Sequence, residues 1–124
     1  HLAVSGDVLP IYGDGSQLRD YIHAADVATA LLLMGESPVA EGRTYNVGSG
    51  TGTALVDAAK AIIEIAGGGR LAHIPWPPLA EQVETGDFVA DLTRIRAELG
   101  WTPTIALRQG LEQSVAAYRA GAPR

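Results

Sequence analysis

Apolar and polar positions along the 124-residue chain fall into two rhythms. Short apolar runs bounded by Gly, Pro or Asp read as strands. Longer stretches with an apolar residue every three to four positions read as helices. Leu9–Tyr12 and Arg19–His23 are the first two strand-like runs, and the Gly13-Asp14-Gly15 turn between them predicts a hairpin. Ahead of them, His1–Gly6 reads as a helix end stopped at Gly6. Between Ala25 and Gly35 the positions Val27, Ala30, Leu31 and Met34 share one helical face, and Ser37-Pro38 breaks the element. Thr44–Val47 predicts a third strand. The glycine-rich loop Gly48–Gly52 follows, then a helix over Thr53–Ala66 with Leu55, Ala58, Ala59, Ile62 and Ala66 inward and Gly67-Gly68-Gly69 at its end. Leu71–Ile74 predicts a fourth strand, and Pro75, Pro77 and Pro78 around Trp76 predict an extended loop. Phe88–Ala90 is a fifth short extended run. Asp91 then suits the N-cap of a helix over Leu92–Leu99, with Leu92, Ile95 and Leu99 inward and Gly100 closing it. A last helix over Leu107–Ala120 places Leu107, Leu111, Ser114, Val115 and Tyr118 on one side. Strands alternating with helices make the fold class α/β.

Composition narrows the function classes. Apolar residues make up 47% of the chain, enough for the core of one small domain over residues 1–124. The net charge of −5 argues against a nucleic-acid or membrane-surface partner, which calls for a basic face. No apolar run approaches the roughly 18 residues of a membrane span. The chain has no cysteine, which excludes disulfides, thiolate metal sites and Cys nucleophiles and fits a cytoplasmic location. It begins at His1, so it reads as processed or excised from something longer.

Few residues stand out as carriers of chemistry. Gly48-x-Gly50-x-Gly52 between a strand and a helix resembles a phosphate-cradling loop, but its third glycine falls one residue early and Thr53 stands where the dinucleotide fingerprint needs glycine. A tight turn is the simpler reading. The sole lysine, Lys60, lies inside a predicted helix, so no P-loop is present. His1, His23 and His73 have no metal-ligand spacing, and His23 reads as a packed side chain. Asp7, Asp14, Asp20, Asp26, Asp87 and Asp91 lie near turns and caps, where aspartate serves the backbone. Asp20 and Asp26 read as structural. Trp101 reads as an anchor for its helix; Trp76 packs under the proline-rich loop or stacks on a sugar. Arg19 is the sharpest residue. Its guanidinium offers the planar fork that suits a phosphate, and the glycine turn before it leaves room for a ligand. A surface ion pair with Asp20 or Asp14 accounts for it equally well.

The stretch Pro10–His23 resembles the substrate-domain motif of the NAD-dependent nucleotide-sugar epimerases and dehydratases, the extended short-chain dehydrogenases that include UDP-glucose 4-epimerase. Tyr45-Asn46-Val47-Gly48-Ser49-Gly50, Gly86-Asp87 through Asp91, and Leu99–Pro103 with Gly110-Leu111 resemble further segments of that family in the same order. The resemblance implies a small C-terminal substrate-binding domain without the N-terminal Rossmann half. It implies that Arg19 contacts the diphosphate of a UDP- or dTDP-sugar, that Tyr12 lies near base and ribose, and that Gln17 lies in the same loop. Glu84 departs from the pattern: the family often has a second phosphate-binding arginine there. Ala54 departs too, standing where serine is frequent.

The family's catalytic Tyr-x-x-x-Lys pair is missing, because none of Tyr12, Tyr21, Tyr45 and Tyr118 has lysine four residues on. The expectation is therefore a nucleotide-sugar-binding part of an enzyme whose NAD site and catalytic pair lie elsewhere. This chain alone would hold no NAD, no metal and no catalytic residue. The alternative is a non-catalytic binding module or half of a split protein, which pairs with a Rossmann chain or with itself through an exposed apolar face.

Overall fold

The computed structural model describes residues 1–84 and 86–121. Among the described residues six helices and four strands follow one another: α1 (Leu2–Ser5), β1 (Val8–Tyr12), β2 (Leu18–Asp20), α2 (Ala24–Glu36), β3 (Gly52–Ala54), α3 (Leu55–Ala66), β4 (Arg70–Ile74), α4 (Pro78–Val83), α5 (Thr93–Leu99) and α6 (Leu107–Arg119), with a 3₁₀ turn at Pro38–Ala40. The class is α/β, as the sequence pattern implies.

The predicted hairpin does not form. β1 pairs in parallel with β4, from Val8 opposite Arg70 to Tyr12 opposite Ile74, whereas β2 pairs antiparallel with β3, Arg19 facing Thr53. The cause is local. The N-cap of α3 is Ala54, which offers no side-chain cap, and the first amides of the helix need acceptors. The connection after β1 supplies them: Val56 N–H donates to Gly15 O (3.0 Å) and Leu55 N–H to Gln17 O (3.2 Å). The turn is thereby seated on the start of α3 and the chain leaves β1 instead of folding back on it. Gly15 has a positive φ of 72°, and a Cβ there would stand 2.9 Å from Ile11 Cγ2 and 3.0 Å from Val56 Cβ. Only glycine meets both demands.

Two apolar clusters make the core. Ala30, Ala90, Leu92, Ile95 and Trp101 pack together, with Leu33, Met34 and Tyr45 against them. Ala3, Ala66 and Val115 form the second, under Leu9, Ile62 and Ile63. α3 buries Ala58, Ala59 and Ala66 as its periodicity requires, and Gly67 stops it in the left-handed conformation. Gly6 and Gly100 end α1 and α5 in the same way. Asp91 sits just ahead of α5, where Thr93 N–H donates to its Oδ1 (2.9 Å).

Several expectations need correction. Leu31 was expected inward but is 60% exposed; of the predicted face Ala30 and Met34 pack against the core, and Asp26 and Leu33 turn inward beside them in place of Leu31. Ser114 is likewise exposed on α6. Thr44–Val47 is not a strand: it has no ladder partner among the described residues, and its groups bond to α5, Thr44 O accepting from Arg94 Nη1 and Tyr45 OH donating to Glu98 Oε2. Phe88–Ala90, expected as a short extended run, joins no ladder among the described residues, although Phe88 N–H donates to Leu18 O (3.1 Å) beside β2. The strand that pairs with β2 is Gly52–Ala54, expected as loop and helix start. Pro78, expected in an extended loop, opens the short α4, since proline suits the first helical turn.

Candidate functional site

The site is built around the turn that joins β1 to β2. Tyr12, the last residue of β1, is 40% exposed, and its ring lies against Trp76, centroids 5.2 Å apart at 34°. Trp76 follows β4, so the parallel pairing that ends with Tyr12 opposite Ile74 is what brings the two rings together. Gly13 seals the contact: its N–H donates to Ile74 O (2.9 Å), and a Cβ on it would stand 2.5 Å from Trp76 Nε1. His73 Nδ1 lies 2.9 Å from Gly13 O, where the protonated nitrogen donates. The result is a half-open aromatic shelf at one end of the turn.

Gln17 and Arg19 stand at the other end. Gln17 gives its carbonyl to α3, as described. Arg19 lies in β2 and reaches neither Asp20 nor Asp14, so the surface ion pair expected as its simpler role is with a different acid. Nη1 donates to Gly86 O (2.6 Å) and to Leu18 O (2.8 Å). Nη2 donates to Glu84 Oε1. Glu84 Oε1 also accepts from Gly86 N–H (3.1 Å). Asp87 joins from the same segment, its Oδ1 accepting from Leu18 N–H at 2.7 Å. Both side chains of the pair are partly buried, Arg19 29% and Glu84 23% exposed. Asp14 stays in the turn, its Oδ1 accepting from Ser16 N–H (2.9 Å); that bond holds its carboxyl below the ordinary range.

Asp20 points the other way, as alternation along a strand requires. Its Oδ1 accepts from the Ser49 amide (2.6 Å) and hydroxyl (2.5 Å), and its Oδ2 from the amides of Gly50 (3.0 Å) and Ala90 (3.1 Å). Burial pushes its carboxyl up, but these donors outweigh it and hold it below the ordinary 3.8. This settles the glycine-rich loop. The amides a phosphate would use are already bonded to an internal carboxylate, and Gly48 is glycine because a Cβ would stand 2.4 Å from Asp20 Oδ2. The tight-turn reading holds, with a physical reason.

Asp26 is the parallel case in α2. It is 2% exposed, its Oδ1 accepts from the amide (3.1 Å) and hydroxyl (2.8 Å) of Thr104, and its Oδ2 from Ile105 N–H (3.0 Å). Burial raises its pKa and these donors more than reverse that. His23 caps α2, its Nδ1 accepting from Ala25 N–H (3.2 Å), and Trp101 is buried with Nε1 donating to Thr29 Oγ1 (3.2 Å). Trp101 matches its reading as an anchor, whereas His23, read as a packed side chain at a strand end, is instead the cap of α2.

A cleft of about 390 Å³ lined by Tyr21, Ser49, Thr51, Thr53 and Thr104 opens beside β2. Tyr12, Gln17 and Arg19 are not among its lining residues. Among the described residues no cluster of His, Asp and Glu could hold a metal ion, and no helix is long and apolar enough to cross a membrane. Sequence reasoning missed Asp87 and the Gly86 carbonyl as partners of β2. Asp87 looked like any turn aspartate, and a carbonyl leaves no mark in a sequence.

Chemically, the arrangement offers a cation on a rigid strand at one end of a glycine turn and a stacking surface at the other. That pairs an anionic group with a flat ring. Residues 3–114 match the family described as GDP-mannose 4,6 dehydratase. The chain is 32% identical over 120 residues to a dTDP-glucose 4,6-dehydratase of Streptomyces niveus, covering 94% of this chain and 34% of that protein. It is 34% identical over 119 residues to a UDP-glucose 4-epimerase of Mycolicibacterium smegmatis, covering 94% and 36%. Among solved structures, the UDP-glucose 4-epimerase of Thermotoga maritima with UDP-glucose superposes at a TM-score of 0.84 and 29% identity, over 98% of this chain and 38% of that one. The chain thus spans about a third of the length of the curated relatives it matches.

Proposed function

This chain belongs to the GDP-mannose 4,6-dehydratase family, and on that premise we propose that it is the nucleotide-sugar-binding part of an NAD-dependent epimerase or dehydratase. Arg19 contacts the diphosphate of a UDP- or dTDP-sugar. Tyr12 lies against base and ribose, and Gln17 lines the same loop. NAD and the Tyr-x-x-x-Lys pair belong to polypeptide outside these 124 residues, so this chain alone binds nucleotide and carries out no hydride transfer. Leu31 and Leu32, 60% and 66% exposed on α2, support a reading in which further polypeptide covers that helix.

One observation carries the reading. Arg19 and the Tyr12–Trp76 shelf flank a single short turn whose glycines are fixed by packing, so cation and ring are preset for one ligand. The UDP-glucose in the Thermotoga maritima structure supports the ligand class, since this chain matches that protein along nearly all of its own length.

The test is calorimetric titration of UDP and of uridine into the chain and its Arg19→Ala variant. Removing a charge-assisted contact costs about 1.5–3 kcal/mol, so Arg19→Ala should weaken UDP about 10- to 100-fold and leave uridine unchanged. Equal UDP affinity in the two proteins refutes the role of Arg19. Turnover of UDP-glucose by this chain alone refutes the placement of the chemistry elsewhere.

A further inference from the structure

We infer that Glu84 is an internal competitor for the anion site: its carboxylate occupies the Arg19 guanidinium, and a diphosphate binds only by displacing it. The inference rests on the reading of Arg19 as the phosphate contact and adds a residue that sets how strongly that contact is available.

The geometry of the guanidinium carries the argument. Both hydrogens of Nη1 are committed to main-chain carbonyls, Gly86 O at 2.6 Å and Leu18 O at 2.8 Å. These fix the plane of the group and leave Nη2 as the edge that can turn to a ligand. Glu84 Oε1 sits on that edge. The acid is itself held in place, because the same oxygen accepts from Gly86 N–H at 3.1 Å. Arg19 and Glu84 are 29% and 23% exposed, so the pair is partly withdrawn from water and screened less than a surface pair. A carboxylate and a phosphate make the same fork-shaped demand on a guanidinium. Glu84 Oε1 takes one hydrogen of Nη2, so a phosphate forking over Nη2 and Nε meets the charge of Glu84 at the same nitrogen, and that of nearby Asp87, whose Oδ1 holds Leu18 N–H at 2.7 Å. The bound diphosphate therefore replaces the Arg19–Glu84 contact rather than adding to it, and its affinity is lowered by what that contact is worth.

Glu84→Gln isolates the charge. Gln keeps an acceptor oxygen for the Gly86 amide and the guanidinium but gives up the negative charge. UDP and uridine are titrated by calorimetry into the wild-type chain, Glu84→Gln, Arg19→Ala and the double variant, with Glu84→Ala as a second removal of the acid and circular dichroism to establish folding. Exchanging a partly buried ion pair for a neutral bond should tighten UDP about 2- to 5-fold, leave uridine unchanged, and do so only where Arg19 is present. If Glu84→Gln and Glu84→Ala both leave UDP affinity unchanged or weaken it while Arg19→Ala still weakens it, Glu84 is not a competitor and the clamp stands. If Arg19→Ala changes nothing in either background, the reading of Arg19 falls, and this inference with it. If none of the folded proteins binds UDP, both fall together.

Discussion

Replacing Asp20 by Asn keeps the shape of the side chain and removes its charge and one acceptor oxygen. The structure sets the cost. Oδ1 receives the Ser49 amide and hydroxyl, and Oδ2 receives the amides of Gly50 and Ala90. With the new NH₂ at the Oδ2 position, two main-chain amides face a donor. With it at Oδ1, the Ser49 hydroxyl can rotate and accept, but the Ser49 amide is stranded. The second arrangement is cheaper and still loses one amide bond and the charge assistance of the others. An amide left without its partner costs about 1–3 kcal/mol, and a bond to a charged acceptor is worth about 1.5–3. Asp20→Asn should therefore destabilise the chain by about 2–4 kcal/mol, a large share of the roughly 5–15 kcal/mol typical of a domain.

Urea unfolding followed by circular dichroism measures this directly. The midpoint should fall with the slope unchanged, since the buried surface is the same, and the melting temperature should drop by about 10 °C. Asp14→Asn is the control: that carboxylate is exposed and accepts from the Ser16 amide within its own turn, so a midpoint within experimental error of the wild type is expected there. An Asp20→Asn protein within that margin of the wild type would show that the loop amides find other partners, and the account of the glycine-rich loop would fail.

Two further outcomes follow from the same reasoning. Gly15→Ala should cost about 2–4 kcal/mol in thermal unfolding, because it adds a left-handed alanine to a site where Ile11 and Val56 already stand within 3.0 Å. Gly42→Ala, with φ 66° and nothing within 4 Å, isolates the backbone share at about 1 kcal/mol, and equal losses would refute the packing argument. Asp26 has a folded pKa below its ordinary 3.8, so its stabilisation is fully present above that value and drains away as pH falls through the folded pKa. Asp26→Asn should destabilise the protein by about 2–4 kcal/mol at pH 7 and flatten the loss of stability below about pH 4, read from urea midpoints across pH; an unchanged acid limb would refute the assignment.

What could be read from the residues was what depends on neighbours in sequence. Gly6, Gly67 and Gly100 stop helices because the αL position lies next to the residues it terminates. Asp26 was placed in a helix first turn by its own flanks. Which strand pairs with which was not legible, because the β1–β4 and β2–β3 ladders join residues dozens of positions apart and the decisive bonds, Gly15 and Gln17 carbonyls to α3, are main-chain bonds common to every residue type. Leu31 shows a subtler limit. The predicted face, Val27, Ala30, Leu31 and Met34, and the packed one, Asp26, Ala30, Leu33 and Met34, overlap on one helix and differ at its edges. The choice between them was made by where α5 and Trp101 dock and by the Thr104–Ile105 amides that draw Asp26 inward. An aspartate among apolar positions argues for the exposed stripe until its partners, some eighty residues on, are known. In the candidate site, Glu84 was visible as an acid where a base was expected; that it closes on Arg19 needed the fold.

Arg19 and Asp20 are adjacent, opposite in charge, and not bonded to each other. Strand alternation sends them to opposite faces, and each meets a different part of the same downstream stretch. Arg19 takes Glu84 and Gly86 O, Leu18 takes Asp87 and Phe88, and Asp20 takes Ala90. Three consecutive residues of β2 therefore clamp five positions of that stretch, and the clamp works only in one register: a shift by one would bring Arg19 to the Ser49 and Gly50 amides, donor against donor. The guanidinium is thus aimed from both sides, by the carbonyls it donates to and by the aspartate that pins the register of its strand. Loosening Asp20 should then blunt whatever Arg19 binds even though Asp20 itself faces away from it, and the one anion this rigidly set arginine is seen to hold is the carboxylate of Glu84.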